Sequence, residues 1–222
     1  MFGWESSILG FGVNRMNLEE IRELATLALA QPPGLGIPEL ERNPENFAPY
    51  LRFLYDVVDF YRIRMVIECG VYMGTASEYM AIAGGNNVFV IGIDIAPHPH
   101  AVNIVYPRHK NLALVHGDTL DIDTFERVGN LVGNDGVGLL FLDSSHDGVT
   151  PFMEYKLYKR FFADVCLVVC DDIVGDQLSG NDRDSMQLFW KYMPGEKLEL
   201  NELHPAYADV RTPGFGVSII RK

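Results

Sequence analysis

The chain has 222 residues, 48% hydrophobic and 22% charged, with a formal net charge of −12. That size and balance describe one substantial α/β domain with its own core and exclude a disordered chain. The acidic surplus argues against the phosphate backbone of a nucleic acid as the main partner, since that contact needs clustered Lys and Arg. No apolar run reaches the length of a membrane span.

The amino terminus, MFGWESSILGFGV, lacks a basic start and carries Glu5, so it reads poorly as a signal peptide. Asn17-Leu-Glu-Glu20 has the pattern of a capping box, and Leu18, Ile21, Leu24, Ala25 and Ala28 follow at helical spacing. QPPGLGIP (31–38) ends that helix as an ordered loop, and Asn43-Pro44 predicts the start of a second one, with Phe47, Tyr50, Leu51, Leu54, Val57, Val58 and Tyr61 on its apolar face.

From residue 65 the rhythm becomes that of strands: MVIEC (65–69), VFVIGID (88–94), a weaker NLALVHGD (111–118), VGLLFLD (137–143) and DVCLVVCD (164–171). Near-continuous apolar strands with helices between them predict a parallel sheet covered on both faces. LELNELH (198–204) and FGVSIIRK (215–222) predict an antiparallel pair at one edge. Phe189, Trp190 and Tyr192 read as the core face of a late helix. Cys69, Cys166 and Cys170 lie inside apolar runs, as expected of buried free thiols in a reducing cytoplasm, so the expected location is cytoplasmic. The expected organisation is a helical amino-terminal extension or lid over 1–44 and one domain over 45–222. The segment around Trp4 and Phe11 either lids a substrate cleft or packs against another copy in a homo-oligomer.

In an open parallel sheet, ligands sit beyond the carboxyl ends of the strands. Glu68, Asp94, Asp118, Asp143 and the pair Asp171-Asp172 all fall at such ends. Gly70 and Gly74 after the first strand read as a loop that approaches a ligand without Cβ obstruction. Its spacing, E-x-G-x-x-x-G, is not the G-x-G-x-x-G of a dinucleotide loop, which disfavours an NAD-dependent oxidoreductase. A carboxylate beside the loop calls for a ligand with hydroxyls or positive charge, and Asp94 is placed to accept from a ribose diol. S-adenosylmethionine fits that combination better than NAD.

VIECGVYMGTASEYMA, VIGIDIAP, LALVHGDT and LLFLDSSHDGV…DVCLVVCDDI together resemble the class I S-adenosylmethionine-dependent methyltransferases. Within them the chain is most similar to the small-molecule O-methyltransferases grouped with the macrocin O-methyltransferase and cephalosporin-hydroxylase-like families, over roughly residues 45–222. The resemblance implies a Rossmann-like, doubly wound, seven-stranded, mostly parallel sheet with an antiparallel last strand. It implies that the loop carrying Glu68, Gly70 and Gly74 wraps the methionine part of the cofactor, with Ser77 also at the cofactor, while Tyr72, inside that loop, is placed to edge the cofactor or the acceptor. Asp94 then holds the ribose and Asp118 lies beside the adenine, with Asp143 close to the cofactor as well.

Asp143, Asp171 and Asp172 converge at neighbouring strand ends, and carboxylates so placed repel unless protons or a cation intervene. Mg²⁺ suits an all-oxygen set, and the metal-dependent small-molecule O-methyltransferases carry acidic residues at these positions. A metal on the acceptor oxygen lowers its pKa for in-line attack on the sulfonium methyl group. Asp143 is therefore expected to serve catalysis, and His146 to act as general base or to stack near the adenine. Related families show Asp-x-x-His-Ser-Tyr-Glu here; Asp143-Ser-Ser-His146 keeps the first part and Asp147-Gly148 departs from the second. The expected activity is methyl transfer to a hydroxyl of a small molecule. The alternative is a catalytically silent nucleotide-binding or assembly module on the same fold.

Overall fold

The computed structural model describes residues 16–30, 49–173, 183–202 and 214–222. The segment around Trp4 and Phe11, the 31–38 loop, the predicted helix start at 43–44 and most of the 174–185 loop lie outside the described residues. Seven strands form one sheet: β1 (Met65–Cys69), β2 (Phe89–Asp94), β3 (Leu112–His116), β4 (Val137–Leu142), β5 (Phe162–Asp171), β6 (Glu196–Glu199) and β7 (Phe215–Arg221). Their spatial order is β3-β2-β1-β4-β5-β7-β6. β1 to β5 pair in parallel, and β7 runs antiparallel to both β5 and β6. The expected last strand is therefore in place. The strand predicted over 198–204 sits earlier, at Glu196–Glu199, because Leu200–Glu202 turns into a short 3₁₀ helix.

Alternation along these strands divides the apolar residues between two helical layers. Val66, Val90, Leu139, Phe141, Leu167, Val169, Val217 and Ile219 share one core with α1 (Leu18–Ala30), α2 (Pro49–Phe60) and α3 (Thr75–Gly84). Ile67, Cys69, Ile91, Ile93, Leu140, Leu142, Cys166, Val168 and Cys170 face residues of α5 (Ile122–Val132), α6 (Val149–Tyr158) and α7 (Arg183–Tyr192). The three cysteines are buried and unpaired. A π-turn at Ala101–Val105 leads into the single-turn α4 (Tyr106–Arg108).

Local chemistry sets the helix starts. Glu20 N donates to Asn17 Oδ1 at 2.9 Å ahead of α1, as the capping pattern predicted. Asp121 caps α5 by accepting from Asp123 N and Thr124 N. Asp147 does the same for α6, accepting from Val149 N at 2.9 Å and Thr150 N at 2.7 Å. Asp147-Gly148 thus begins a helix. On α7, Phe189 and Trp190 are buried as predicted, whereas Tyr192 is exposed. Among the described residues no helix is long and apolar enough to cross a membrane.

Candidate active site

Sheet order reverses between β1 and β4, and their carboxyl ends open the crevice where this architecture places ligands. Gly70, just past β1, has φ +87, and a Cβ there would lie 1.9 Å from the Asp143 carbonyl oxygen. Its missing side chain makes room for the exit of β4. Gly74 (φ +82) opens α3, and its Cβ would stand 3.2–3.3 Å from Val105 and Ala101. Gly70 is therefore demanded by packing as well as by backbone conformation, and Gly74 by its backbone conformation against tight neighbours.

Asp94 anchors the loop they bracket. Its Oδ2 accepts from Val71 N at 2.9 Å and Tyr72 N at 2.8 Å, and Oδ1 accepts from Ala96 N at 2.7 Å. The loop is thus organised by the same carboxylate that the sequence assigned to a ribose. Acceptor capacity remains on Oδ1, which makes a single bond to the chain. Tyr72 is 69% exposed, with its ring 5.6 Å from that of His98.

Glu68 is 1% exposed. Burial pushes its carboxyl up to about 8, with Ser77's donated hydrogen bond opposing and the Asp94 charge adding. Ser77 is fully buried, donates to Glu68 Oε2 and stands 2.8 Å from the Tyr106 hydroxyl. The sequence placed Ser77 at the cofactor; the structure places it behind Glu68, out of solvent.

At the ends of β4 and β5 the carboxylates do converge. Asp143 is held well above the usual carboxylate range by burial, then by the charges of Asp172 and Glu68. Asp171 is raised likewise, by burial and then by Asp143 and Asp172. Asp172 occupies a left-handed backbone conformation, φ 58, and its amide donates to Asp171 Oδ1 at 2.9 Å. Its Oδ2 pairs with His146 Nδ1, and that hydrogen bond is the main cause lifting the imidazole pKa above its ordinary value. Asp172 Oδ1 is buried with no partner. Among the described residues no three His, Cys, Asp or Glu side chains are gathered closely enough to grip a metal ion as they stand. The donor chemistry nonetheless fits a hard divalent cation: three repelling carboxylates, one with an orphaned buried oxygen.

Asp118 is exposed and accepts from Leu120 N at 2.9 Å, so its carboxylate shapes its own turn. Below it Thr119 Oγ1 and Ser144 Oγ both donate to Glu154 Oε1 at 2.6 Å, joining the loops after β3 and β4 to α6. Tyr50 projects from α2, its ring 5.3 Å from Phe215, and its phenol is raised by burial and then by Asp143, Asp171, Glu68 and Asp172. The sequence reading missed Glu154 as a site residue and treated Tyr50 only as helix packing. A polar tip on each otherwise apolar face was the available signal.

A seven-stranded sheet of this order, with carboxylates at the ends of β1, β2, β4 and β5, defines a Rossmann-like methyltransferase fold. Solved structures with that fold align along most of the chain. A Staphylococcus aureus protein assigned as a caffeoyl-CoA O-methyltransferase aligns at TM-score 0.63 and 17% identity, covering 90% of this chain and 99% of its own. The Bacillus cereus O-methyltransferase in complex with SAH aligns at TM-score 0.61 and 14% identity, covering 92% and 90%. TomG from Streptomyces achromogenes, an O-methyltransferase of tomaymycin synthesis bound to SAM, aligns at 0.61 and 14%, covering 91% and 90%. No curated protein matches the sequence. The profile of the family described as rhamnosyl O-methyltransferase/CmcI matches residues 39–187. The chain belongs to that family and is an S-adenosylmethionine-dependent methyltransferase.

Proposed function

We propose that the chain methylates a hydroxyl of a small molecule, taking S-adenosylmethionine at the ends of β1 and β2 and the acceptor at the ends of β4 and β5. The observation that carries this reading is the cluster of Asp143, Asp171 and Asp172, with Asp143 also facing Glu68, in which His146 engages Asp172 and one Asp172 oxygen is buried without a partner. The family's description supports a sugar hydroxyl among the possible acceptors.

Glu68, a buried carboxyl group with no cationic partner among the described residues, suits the cofactor's ammonium group, and Asp94 Oδ1 suits its ribose diol. Tyr72 edges the open side of that pocket and Asp118 lies toward the adenine. When bound, the cofactor supplies an electrophilic methyl group on a sulfonium. Asp143, Asp171 and Asp172 would hold Mg²⁺, whose charge lowers the pKa of the acceptor hydroxyl. Tyr50 closes the acceptor side from α2 and keeps water from the cluster. His146, with Nδ1 turned to Asp172, presents Nε2 to take the acceptor's proton.

The His146–Asp172 pair also favours a second reading, base catalysis without a metal, since it already engages one of the three carboxylates. Calorimetric titration with S-adenosylhomocysteine, repeated in EDTA and in Mg²⁺, tests the cofactor site. Micromolar binding lost in Glu68→Gln supports it; no binding in any condition removes it. Turnover of a hydroxylated acceptor then separates the readings. Activity abolished by EDTA and by Asp143→Asn points to the metal. Activity indifferent to EDTA but reduced about 10²- to 10⁴-fold in His146→Ala points to the base.

A further inference from the structure

Tyr106 belongs to none of the strand ends or loops discussed above, yet the chain makes a specific place for its hydroxyl. A Cβ on Gly92, in the middle of β2, would lie 1.8 Å from that hydroxyl oxygen. Gly92 lies beside Glu68 in the β1–β2 pairing. The hydroxyl therefore packs onto the face of the sheet at the one position on β2 with no side chain to obstruct it, directly next to the Glu68 backbone. The ring is 7% exposed, packed with Val71, Ala101 and Val105, and a helical π-turn immediately precedes it. Such turns concentrate at functional sites.

The hydrogen bonds run in one direction. Ser77 has a single hydroxyl hydrogen, and it goes to Glu68 Oε2. Ser77 Oγ can then only accept from Tyr106, 2.8 Å away. Tyr106 O–H to Ser77 O–H to Glu68 carboxylate is a buried donor chain whose members polarise one another. It contributes from three separate elements, α4, α3 and β1, to one oxygen of one carboxylate. Among the described residues no hydroxyl bonds the remaining oxygen of Glu68, and it is held in orientation by the first.

We propose that Tyr106 is a positioning residue for the amino-acid end of the cofactor: acting through Ser77, it holds the Glu68 carboxylate oriented to receive the ammonium group. This rests on the cofactor reading above and extends it to two residues that touch no ligand. It separates Tyr106 from Asp94, which orders the same loop through backbone amides and serves the nucleoside end. Loss of the Tyr106 hydroxyl should thus be felt by one half of the cofactor and not the other.

The experiment compares two ligands by calorimetry on the full chain. S-adenosylhomocysteine carries the amino-acid portion; 5′-methylthioadenosine keeps adenine, ribose and sulfur without it. In Tyr106→Phe, affinity for S-adenosylhomocysteine should fall about three- to tenfold, the loss of one net hydrogen bond, with 5′-methylthioadenosine unchanged. Ser77→Ala should show the same selectivity, and the double variant should lose little more than either single one. With a turned-over acceptor, KM for the methyl donor should rise while kcat at saturation holds. Equal weakening of both ligands, or of neither, overturns the proposal and makes Tyr106 ordinary packing. Wild-type protein that binds 5′-methylthioadenosine but not S-adenosylhomocysteine overturns it too. Failure of the wild type to bind either ligand removes the cofactor reading itself.

Discussion

Glu154 has no solvent exposure, accepts two hydroxyl hydrogen bonds on Oε1 and leaves Oε2 buried without a partner. Burial pushes its carboxyl up to about 7. A carboxyl raised by folding binds its proton more tightly in the native state. Its stabilising contribution is therefore complete below the ordinary Glu range and is lost as pH rises through about 7. Replacing it with Gln keeps an acceptor for Thr119 and Ser144 and removes the titration. Thermal unfolding of Glu154→Gln followed from pH 5 to 8 should be flatter than wild type, with the variant relatively more stable at the alkaline end. Parallel curves would show that Glu154 does not titrate there. At this scale the sequence was readable in the placement of residues at strand ends, as with Glu68, Asp94 and Asp143. It was silent on Glu154 and Tyr106, which lie within helices and meet partners 35 and 29 residues away, and it read Tyr50 only as helix packing.

The loop between β1 and α3 is an element built by one side chain. Asp94 meets three backbone amides, two of them in a loop whose Tyr72 has φ 46, a conformation a tyrosine adopts only when held. Asp94→Ala should release the Val71 and Tyr72 amides, measurable as lost hydrogen-exchange protection without any ligand, and weaken S-adenosylhomocysteine binding by tenfold or more. Retained protection would mean that the glycines and the α3 start hold the loop unaided. Strand positions were legible to within two residues because apolar runs this dense bury on both faces and have no alternative partner. The exception is β6, where Leu198 and Leu200 looked like one strand. The chain turns at Leu200 while keeping that side chain fully buried, so burial alone could not mark the strand's end. Gly70 was legible as a turn, but the group its missing Cβ admits comes from β4, a tertiary fact that no local pattern carries.

Among the described residues, the acidic groups divide between a solvated surface and a line of buried and half-buried carboxylates along the sheet's carboxyl edge. Asp143 and Asp171 are both raised by burial, so acid stabilises them in the fold and their contribution fades as pH climbs through their elevated values. A divalent cation held there competes with those protons and stabilises the native state in proportion to occupancy, about 2.7 kcal/mol at a hundred times its Kd. Millimolar Mg²⁺ should raise the melting temperature more at pH 8 than at pH 6, and Asp143→Asn should remove most of that rise. A melting temperature indifferent to Mg²⁺ at both pH values would speak against the metal and for the His146–Asp172 base. The doubly wound order was readable from strand spacing and the resemblance together, since parallel strands with short crossovers admit few arrangements.

The contact at Gly70 reaches further than its turn. With the loop after β1 seated on the Asp143–Ser144 backbone, and the Asp143 amide bonded to the Cys69 carbonyl at 2.8 Å, the two strand exits form a gauge of set width. On the proposed reading one exit carries the donor side of the reaction and the other the acceptor side, so neither can retreat to admit a bulkier partner. New acceptors would then have to be accommodated at the rim, while the gap across which the methyl group travels stays the same for all of them.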